Sequence, residues 1–423
     1  MGFQGVKGTR DFYPADMRQR NWIVDAWRRA SLRNGFEEYD SPIFEYLDLL
    51  TAKSGPEIAG QLFHFVDRGG RQLAIRPEIT PSLARMVNAK INSLPRPVKW
   101  FSVPRLCRAE NPQRGRLREF FQWNVDVIGV EGALADAECV YVAVDALREL
   151  GLTSDDVCVR IGSRPLTLAA LAEAGVPDTL TDAALAVLDK RPKLSDDEFA
   201  KLAREAGMTA GQTEAVGRFQ DTADLDELRA HFAGNERVGR HLDELAELLA
   251  ALDALGAAPY CQLDLRIVRG LAYYTGVVYE VFDRSQSLRA LAGGGRYDNL
   301  LEVLGGPAVA ATGFGMGDVV LGILLGEKGV LPPLGQQVEY FVIESEPSAR
   351  ARVLEIVGAL RAAGRSADFN YRPQGLGKQL KAANKRGAAR AVIVRPEGLA
   401  VKDLATGDQR DATLDELRKP DGD

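Results

Sequence analysis

Cysteine and histidine are scarce in this chain. Its 423 residues hold four cysteines, Cys107, Cys139, Cys158 and Cys261, and three histidines, His64, His231 and His241. No two cysteines have CxxC spacing, which excludes a dense disulfide scaffold. The histidines lie far apart, so neither a zinc site nor a metal-centred hydrolase is expected. Long hydrophobic runs are also missing. No 18 consecutive residues are apolar, so nothing reads as a membrane span. The opening MGFQGVKGTRDFYP has no apolar h-region and does not read as a signal peptide. It places Val6 and Lys7 where a myristoylation signal wants Ser or Thr, so lipidation is not expected. A reducing cytoplasm is the expected compartment. What the chain does have is 46% apolar and 26% charged residues. That composition excludes global disorder and is ample for two or three domains.

Charge is unevenly spread. Residues 350–402 carry 12 Lys/Arg against 3 Asp/Glu, on a chain whose net charge is −6. A local basic region on an acidic protein points to a module facing a polyanion, although a solvated helix face has the same composition. Residues 177–258 run the other way, with 17 acidic and 9 basic residues. Helical patterns dominate there, with Ser195 and Thr209 as N-caps, and the segment reads as an insertion between strand-rich parts. Upstream, residues 16–34 show helical spacing that Asn34-Gly35 terminates. Strands are expected at 36–44, 72–75, 98–105 and 120–128, the last two forming an antiparallel hairpin. Further strands are expected at 261–267 and 277–282. After the linker LPPLG at 331–335, strand and helix alternate as in a small α/β domain.

Four constellations carry chemistry. The loop between the hairpin strands holds Arg105, Arg108, Arg114, Arg116 and Arg118 within fourteen residues. Guanidinium groups suit phosphate because they are planar, permanently charged and bidentate. Arginines on a plain surface hairpin are the alternative. In VRGLAYYTG, Arg269 precedes Tyr273 and Tyr274, which point to opposite sides of an extended segment; one lines a pocket, or both belong to an ordinary core strand. The glycines of GGGRYD, 293–295, permit close backbone approach, and a tight bend explains them equally well. They match neither the P-loop nor the dinucleotide fingerprint. In RPEIT, Arg76, Glu78 and Thr80 share one face if the segment is a strand, and such a face suits an ammonium group.

Taken in order, these segments resemble histidyl-tRNA synthetases, a family of class II aminoacyl-tRNA synthetases. KGTRDFYP (7–14) resembles the family's N-terminal signature, and SPIFE (41–45) resembles motif 1, whose proline, here Pro42, lies at the dimer interface. RPEIT resembles RPE-x-T, and RLCRAENPQRGRLREFFQ (105–122) resembles motif 2. IVRGLAYYTG (267–276) resembles the histidine-specific motif. KQLKAANKRGA and VKDLATGDQ resemble the anticodon-binding domain.

The resemblance implies an α+β class II catalytic domain, an antiparallel sheet flanked by helices, with a helical insertion and a C-terminal α/β anticodon-binding domain. Residues 1–130 would hold motifs 1 and 2. Residues 131–260 would hold a catalytic-domain helix and the insertion, 261–330 the histidine-specific motif and motif 3, and 336–423 the anticodon-binding domain. The implied reaction activates histidine with ATP and Mg²⁺, then transfers it to tRNA(His). A homodimer is implied, with no membrane and no DNA partner. By the family pattern Arg108 and Arg269 are catalytic at the α-phosphate. ATP contacts Arg108, Glu110 and Arg116. Histidine meets Glu78, Thr80, Gln122, Asp126, Arg269, Tyr273 and Tyr274. Arg114 approaches the tRNA, and Lys378, Lys381, Lys385 and Arg386 read the anticodon end.

Three positions depart from the pattern. Ala272 stands where the family has Asp, and Asp126 where many bacterial members have Glu. Motif 3 ends in a phosphate-gripping arginine, and GFGMGDVVL (313–321) places Val320 there. Arg296 of GGGRYD is the candidate replacement on ATP. The alternative function is that of a histidine-binding regulatory paralogue of ATP phosphoribosyltransferase; such paralogues lack the anticodon-binding domain.

Overall fold

Pro14, whose fixed φ suits a first helical turn, opens α1 (Pro14–Arg33), and Gly35 at φ +77° closes it. The structure is a computed structural model and describes residues 2–54, 60, 62–268, 274–335 and 338–419. The chain divides into two units, Met1–Leu331 and Pro332–Asp423.

In the first unit α1 is followed by β1 (Glu37–Glu38), β2 (Phe44–Tyr46), α2 (Leu47–Ser54), β3 (His64–Val66), β4 (Gln72–Ile75) and α3 (Thr80–Lys90). Then come β5 (Val98–Ser102), β6 (Arg105–Cys107), β7 (Glu119–Ile128), α4 (Ala133–Glu149) and β8 (Val157–Ser163). The acidic segment forms α5 (Arg164–Glu173), α6 (Thr181–Lys190), α7 (Asp196–Glu205), α8 (Ala210–Asp221), α9 (Leu225–His231) and α10 (Glu236–Ala254). Ser195 and Thr209 cap α7 and α8 through reciprocal bonds with Glu198 and Gln212. The unit ends with β9 (Cys261–Leu263), β10 (Val277–Asp283), β11 (Ala292–Arg296), α11 (Leu300–Val303), β12 (Ala311–Gly317) and α12 (Asp318–Glu327).

Among the described residues the main sheet runs β1-β5-β7-β12-β11-β10-β8-β9, with β6 also on β7. Its interior is antiparallel, as expected, but the pairs β1–β5 and β8–β9 at its two edges are parallel. A small sheet, β2-β4-β3, lies apart from it. Alternation gives the main sheet two different faces. Trp123, Val125 and Val127 of β7 point to the back, where α1, α4, α10 and α12 bury their apolar stripes. Trp123 stacks on Trp27 at 5.9 Å and donates its indole N–H to Ser31 Oγ at 3.0 Å. The front face is capped at one end by a second core of Ile79, Leu83, Val87, Ile128, Tyr297 and Leu301.

The second unit comprises β13 (Val338–Glu344), α13 (Arg350–Ala362), β14 (Ala367–Phe369), α14 (Leu376–Lys385), β15 (Ala388–Arg395), β16 (Gly398–Asp403), β17 (Gln409–Ala412) and α15 (Leu414–Arg418). Its sheet order is β14-β13-β15-β16-β17, a mixed sheet with its own core around Val342, Ile356, Leu360 and Val392. Among the described residues of the chain no helix is long and apolar enough to cross a membrane.

Candidate active site

The front face of the main sheet is floored by glycine. Residues directly opposed on neighbouring antiparallel strands point to the same side. Gln122, Asn124 and Asp126 of β7 therefore share the front with Gly317, Gly315 and Gly313 of β12, and with Gly293 and Gly295 of β11. The missing side chains are what give the polar groups of β7 their room. A methyl group on Gly315 would lie 2.7 Å from Gln122 Nε2 and 3.2 Å from Asn124 Oδ1; one on Gly313 would collide with Asp126 Oδ1. A methyl group on Gly295 would lie 3.0 Å from the Tyr274 ring, so Tyr274 covers this floor from above.

Asp126 is buried, and the Tyr297 hydroxyl donates to its Oδ1. Burial, reinforced by Asp126, holds the Tyr297 phenol well above its usual pKa and keeps that donor protonated. The Tyr39 phenol is pushed up in the same way, first by burial and then by Asp126. Neither tyrosine stands out in the sequence. Tyr297 follows Arg296 in GGGRYD, and its position beside the glycines was the only local signal.

The arginine-rich loop joins β6 to β7 beside this floor. Gln113 and Arg116 close its tip with a pair of backbone hydrogen bonds, and Gly115 turns there at φ +77°. Arg118 N–H bonds the Gly8 carbonyl at 2.8 Å, which ties the KGTRD segment to the loop base. Arg108 donates from Nε to the Pro77 carbonyl at 3.0 Å, and its guanidinium lies 5.1 Å from the Phe120 ring centroid. That bond sets Arg108 beside Glu78, 30 positions away in sequence. Arg116 pairs with Glu110, and Arg114 pairs with Glu327 at 2.6 Å. The Arg114 pair is largely exposed and worth little in stability. Arg108, Glu110 and Arg116 thus lie on the loop that runs directly into β7, the strand that carries Gln122 and Asp126.

Several expectations need correction. RPEIT is not a strand: β4 ends at Ile75 and Thr80 already heads α3, because Pro77 supplies no N–H for a ladder. Glu78 and Thr80 therefore do not share a strand face. Arg76 is buried and donates to Asp40, to the Ser41 carbonyl and to the Arg105 carbonyl. Arg296 is not positioned as an ATP clamp. Its nitrogens are engaged by Asp136 at 2.9 Å, Asp298 at 3.2 Å and the carbonyls of Val130 and Gly132. Burial raises the Asp136 carboxyl, and Arg296 opposes that shift. Arg296 is a structural tie between β11 and the start of α4. Arg269 and Tyr273, with Ala272 between them, lie outside the described residues.

Val320 is buried in the first turn of α12 and packs on the tip of the arginine loop; a methyl group on Gly115 would lie 3.2 Å from Val320 Cγ2. Two residues earlier, Asp318 accepts from Arg10 at 2.6 Å and from the Phe121 N–H at 2.9 Å. These bonds lock α12, β7 and the N-terminal KGTRD segment together. Burial raises the Asp318 carboxyl, and Arg10 counters it.

In the second unit Lys378, Lys381 and Lys385 are exposed along α14, opposite the buried Gln379 and Ala383. Arg386 follows at the C-cap, 3.6 Å from Asp368.

Comparison with known proteins bears on the family and the fold. Residues 8–317 match the family model described as histidyl-tRNA synthetase, and residues 330–419 match the anticodon binding domain. A histidine–tRNA ligase from Opitutus terrae is 40% identical, over 98% of this chain and 97% of that protein. A crystal structure of histidyl-tRNA synthetase from Nostoc sp. PCC 7120 superposes with a TM-score of 0.86 at 23% identity, covering 99% of both chains. A Bacillus halodurans C chain described as an ATP phosphoribosyltransferase regulatory subunit/histidyl-tRNA synthetase superposes at 0.77 and 23% identity, covering 92% of this chain and 98% of that one. The two superpositions speak to fold. The family match across the catalytic unit and the near-complete alignment to a ligase of 40% identity decide the assignment, and the chain belongs to the histidyl-tRNA synthetase family.

Proposed function

We propose that this chain activates histidine with ATP and transfers the histidyl group to tRNA(His). The observation that carries the reading is the juxtaposition of an arginine loop with a glycine floor under Gln122, Asn124 and Asp126. In activation a histidine carboxylate oxygen bonds to the α-phosphorus. The bond from that phosphorus to the bridging oxygen breaks, and pyrophosphate leaves with the electron pair. Two anions must meet, so fixed positive groups stabilise the transition state. Arg108 and Arg116 supply them, with Glu110 orienting Arg116. Gln122, with Glu78 and Thr80, is assigned to the α-amino group. Asp126, oriented by Tyr297, is assigned to the imidazole N–H; a buried acceptor of this kind rejects side chains that lack a donor.

Magnesium would enter with the nucleotide. Among the described residues no group of three or more His, Cys, Asp and Glu is placed to hold a metal ion. For the partners, Lys378, Lys381, Lys385 and Arg386 form the basic face offered to the anticodon end. Arg114 is assigned to the acceptor end. A homodimer is supported by the small sheet, where Ile43, Phe44, Tyr46, Phe65 and Val66 leave an apolar surface exposed. Monomers in sedimentation at micromolar concentration would contradict it. Four free cysteines accord with a reducing cytoplasm.

The regulatory alternative is disfavoured by the C-terminal unit, which matches an anticodon binding domain. ATP–pyrophosphate exchange, run separately with each standard amino acid, tests the reading. Exchange with histidine alone is expected. Tight histidine binding without exchange would transfer support to the regulatory paralogue.

A further inference from the structure

Resting on the reading just given, we propose that Arg289 supplies the phosphate contact for which the motif 3 position, Val320, has no charge. The tip of the arginine loop is where this follows. A methyl group on Gly115 would meet Val320 Cγ2 at 3.2 Å and Arg289 Cδ at 3.9 Å. The two side chains converge on one point of the loop, the first from α12 and the second from the turn before β11. The Arg289 side chain thus reaches the loop tip that Gln113 and Arg116 close.

The turn that carries Arg289 is built rigidly. Asp283, buried at the end of β10, accepts from the Ser287 N–H at 2.9 Å, the Leu288 N–H at 3.1 Å and the Ser287 hydroxyl at 3.2 Å. Gln286 adopts φ +53° within it. Leu288 packs against the back core, and Leu291 is buried and bonds Val281 and Gly317 through its backbone. Arg289 is therefore an exposed side chain flanked by anchored leucines, which limits the conformational entropy lost when it grips a ligand. The arginines before and after it in sequence tie the fold together: Arg284 donates to the Ser154 and Pro259 carbonyls, and Arg296 to Asp136, Asp298 and two carbonyls. The phosphate-facing charge has thus moved from a helix to the neighbouring turn while the loop it serves stayed in place. Asp283 acts as a positioning residue, through the turn.

The test is ATP–pyrophosphate exchange by the full chain with histidine. It compares the unmodified protein with Arg289→Ala, Arg289→Lys, Val320→Arg and the double variant Arg289→Ala/Val320→Arg. Loss of one charge-assisted phosphate contact lowers kcat/KM for ATP about ten- to a hundred-fold in Arg289→Ala. Lysine should restore part of it. The double variant should recover much of the loss, because the arginine returns to the same loop tip from the helix. Melting temperatures of the two Arg289 single variants should stay close to that of the unmodified chain, because Arg289 is exposed, whereas Val320→Arg, at a buried position, should melt lower. Unchanged ATP kinetics in Arg289→Ala would overturn the proposal. So would a loss that neither Arg289→Lys nor Val320→Arg repairs, which would make Arg289 a packing residue of the turn. Normal exchange with impaired tRNA charging would also overturn it and reassign Arg289 to the tRNA backbone. If the unmodified chain shows no exchange with histidine, it is the function reading that fails.

Discussion

Substituting the glycine floor separates the pocket from the core on which it rests. In Gly315→Ala the new methyl group would lie 2.7 Å from Gln122 Nε2, 2.8 Å from its Cδ and 3.2 Å from Asn124 Oδ1. Non-bonded contacts of this kind relax toward about 3.5–4.0 Å. The Gln122 side chain must therefore move by roughly 1 Å, and it can, because the obstacle is side chain and not backbone. A displacement of that size in a substrate-positioning group costs on the order of a hundred-fold in rate. Gly294→Ala, one residue before the floor glycine Gly295, is the control. Its methyl group faces the back, 2.6 Å from Phe314 Cβ and 2.8 Å from the Tyr279 ring, and it collides with the Gly313 carbonyl. Overpacking against backbone and buried rings costs about 1–3 kcal/mol or more of stability. Exchange kinetics and urea midpoints on both variants are the assay. Gly315→Ala should keep most of its midpoint and lose histidine-dependent exchange, with a raised histidine KM. Gly294→Ala should lose midpoint first. If Gly315→Ala exchanges like the unmodified protein, Gln122 does not hold the amino acid, and the pocket has been assigned to the wrong strand.

Other consequences can be checked independently. Arg296→Ala should leave Asp136, only 2% exposed in its side chain, as an unpaired buried charge and cost about 3–5 kcal/mol. A stable variant with a raised ATP KM would instead restore Arg296 to the nucleotide. Lys328 donates to Asp156 at 2.7 Å, and with the Thr153 N–H holds that carboxyl down at about 2, against an ordinary 3.8. A depressed folded pKa contributes stability that is complete above the unfolded value and is lost as pH falls toward about 2. With Lys328 partly exposed, Asp156→Asn should cost only about 1 kcal/mol at neutral pH. The gap from the unmodified chain should close below about pH 4, and urea melts showing a pH-independent gap would refute the pair. Replacing Lys378, Lys381 and Lys385 together by alanine should flatten the log–log salt dependence of tRNA binding by about 2, and an unchanged slope would remove α14 from the interface.

Local chemistry was legible where one segment decides the outcome. The Asn34-Gly35 end of α1, the N-caps Ser195 and Thr209 of α7 and α8, and the antiparallel pairing of β5 and β6 with β7 around the arginine loop all follow from nearby residues. Strand β8 did not, although Val157, Val159 and Ile161 alternate with Cys158 and Arg160, because it is short, follows a long helix, and pairs with β9 and β10 far along the chain. RPEIT misled because the alternation of Arg76, Glu78 and Thr80 mimics a strand that Pro77 forbids. Arg296 misled for a different reason. An arginine after three glycines looks like a phosphate cradle, and the carboxylate that claims it, Asp136, is 160 residues away. A comparable separation hid Tyr297 on Asp126 and Arg289 on Gly115. Such pairings exist only once the sheet order is known.

Charging of tRNA by the full chain bears on the whole reading at once. With histidine, ATP and a set of purified tRNAs, histidine should be esterified to the terminal adenosine of tRNA(His) and to no other tRNA. Stable histidine and ATP binding with every tRNA left uncharged would contradict the ligase reading and leave a nucleotide- and histidine-binding paralogue.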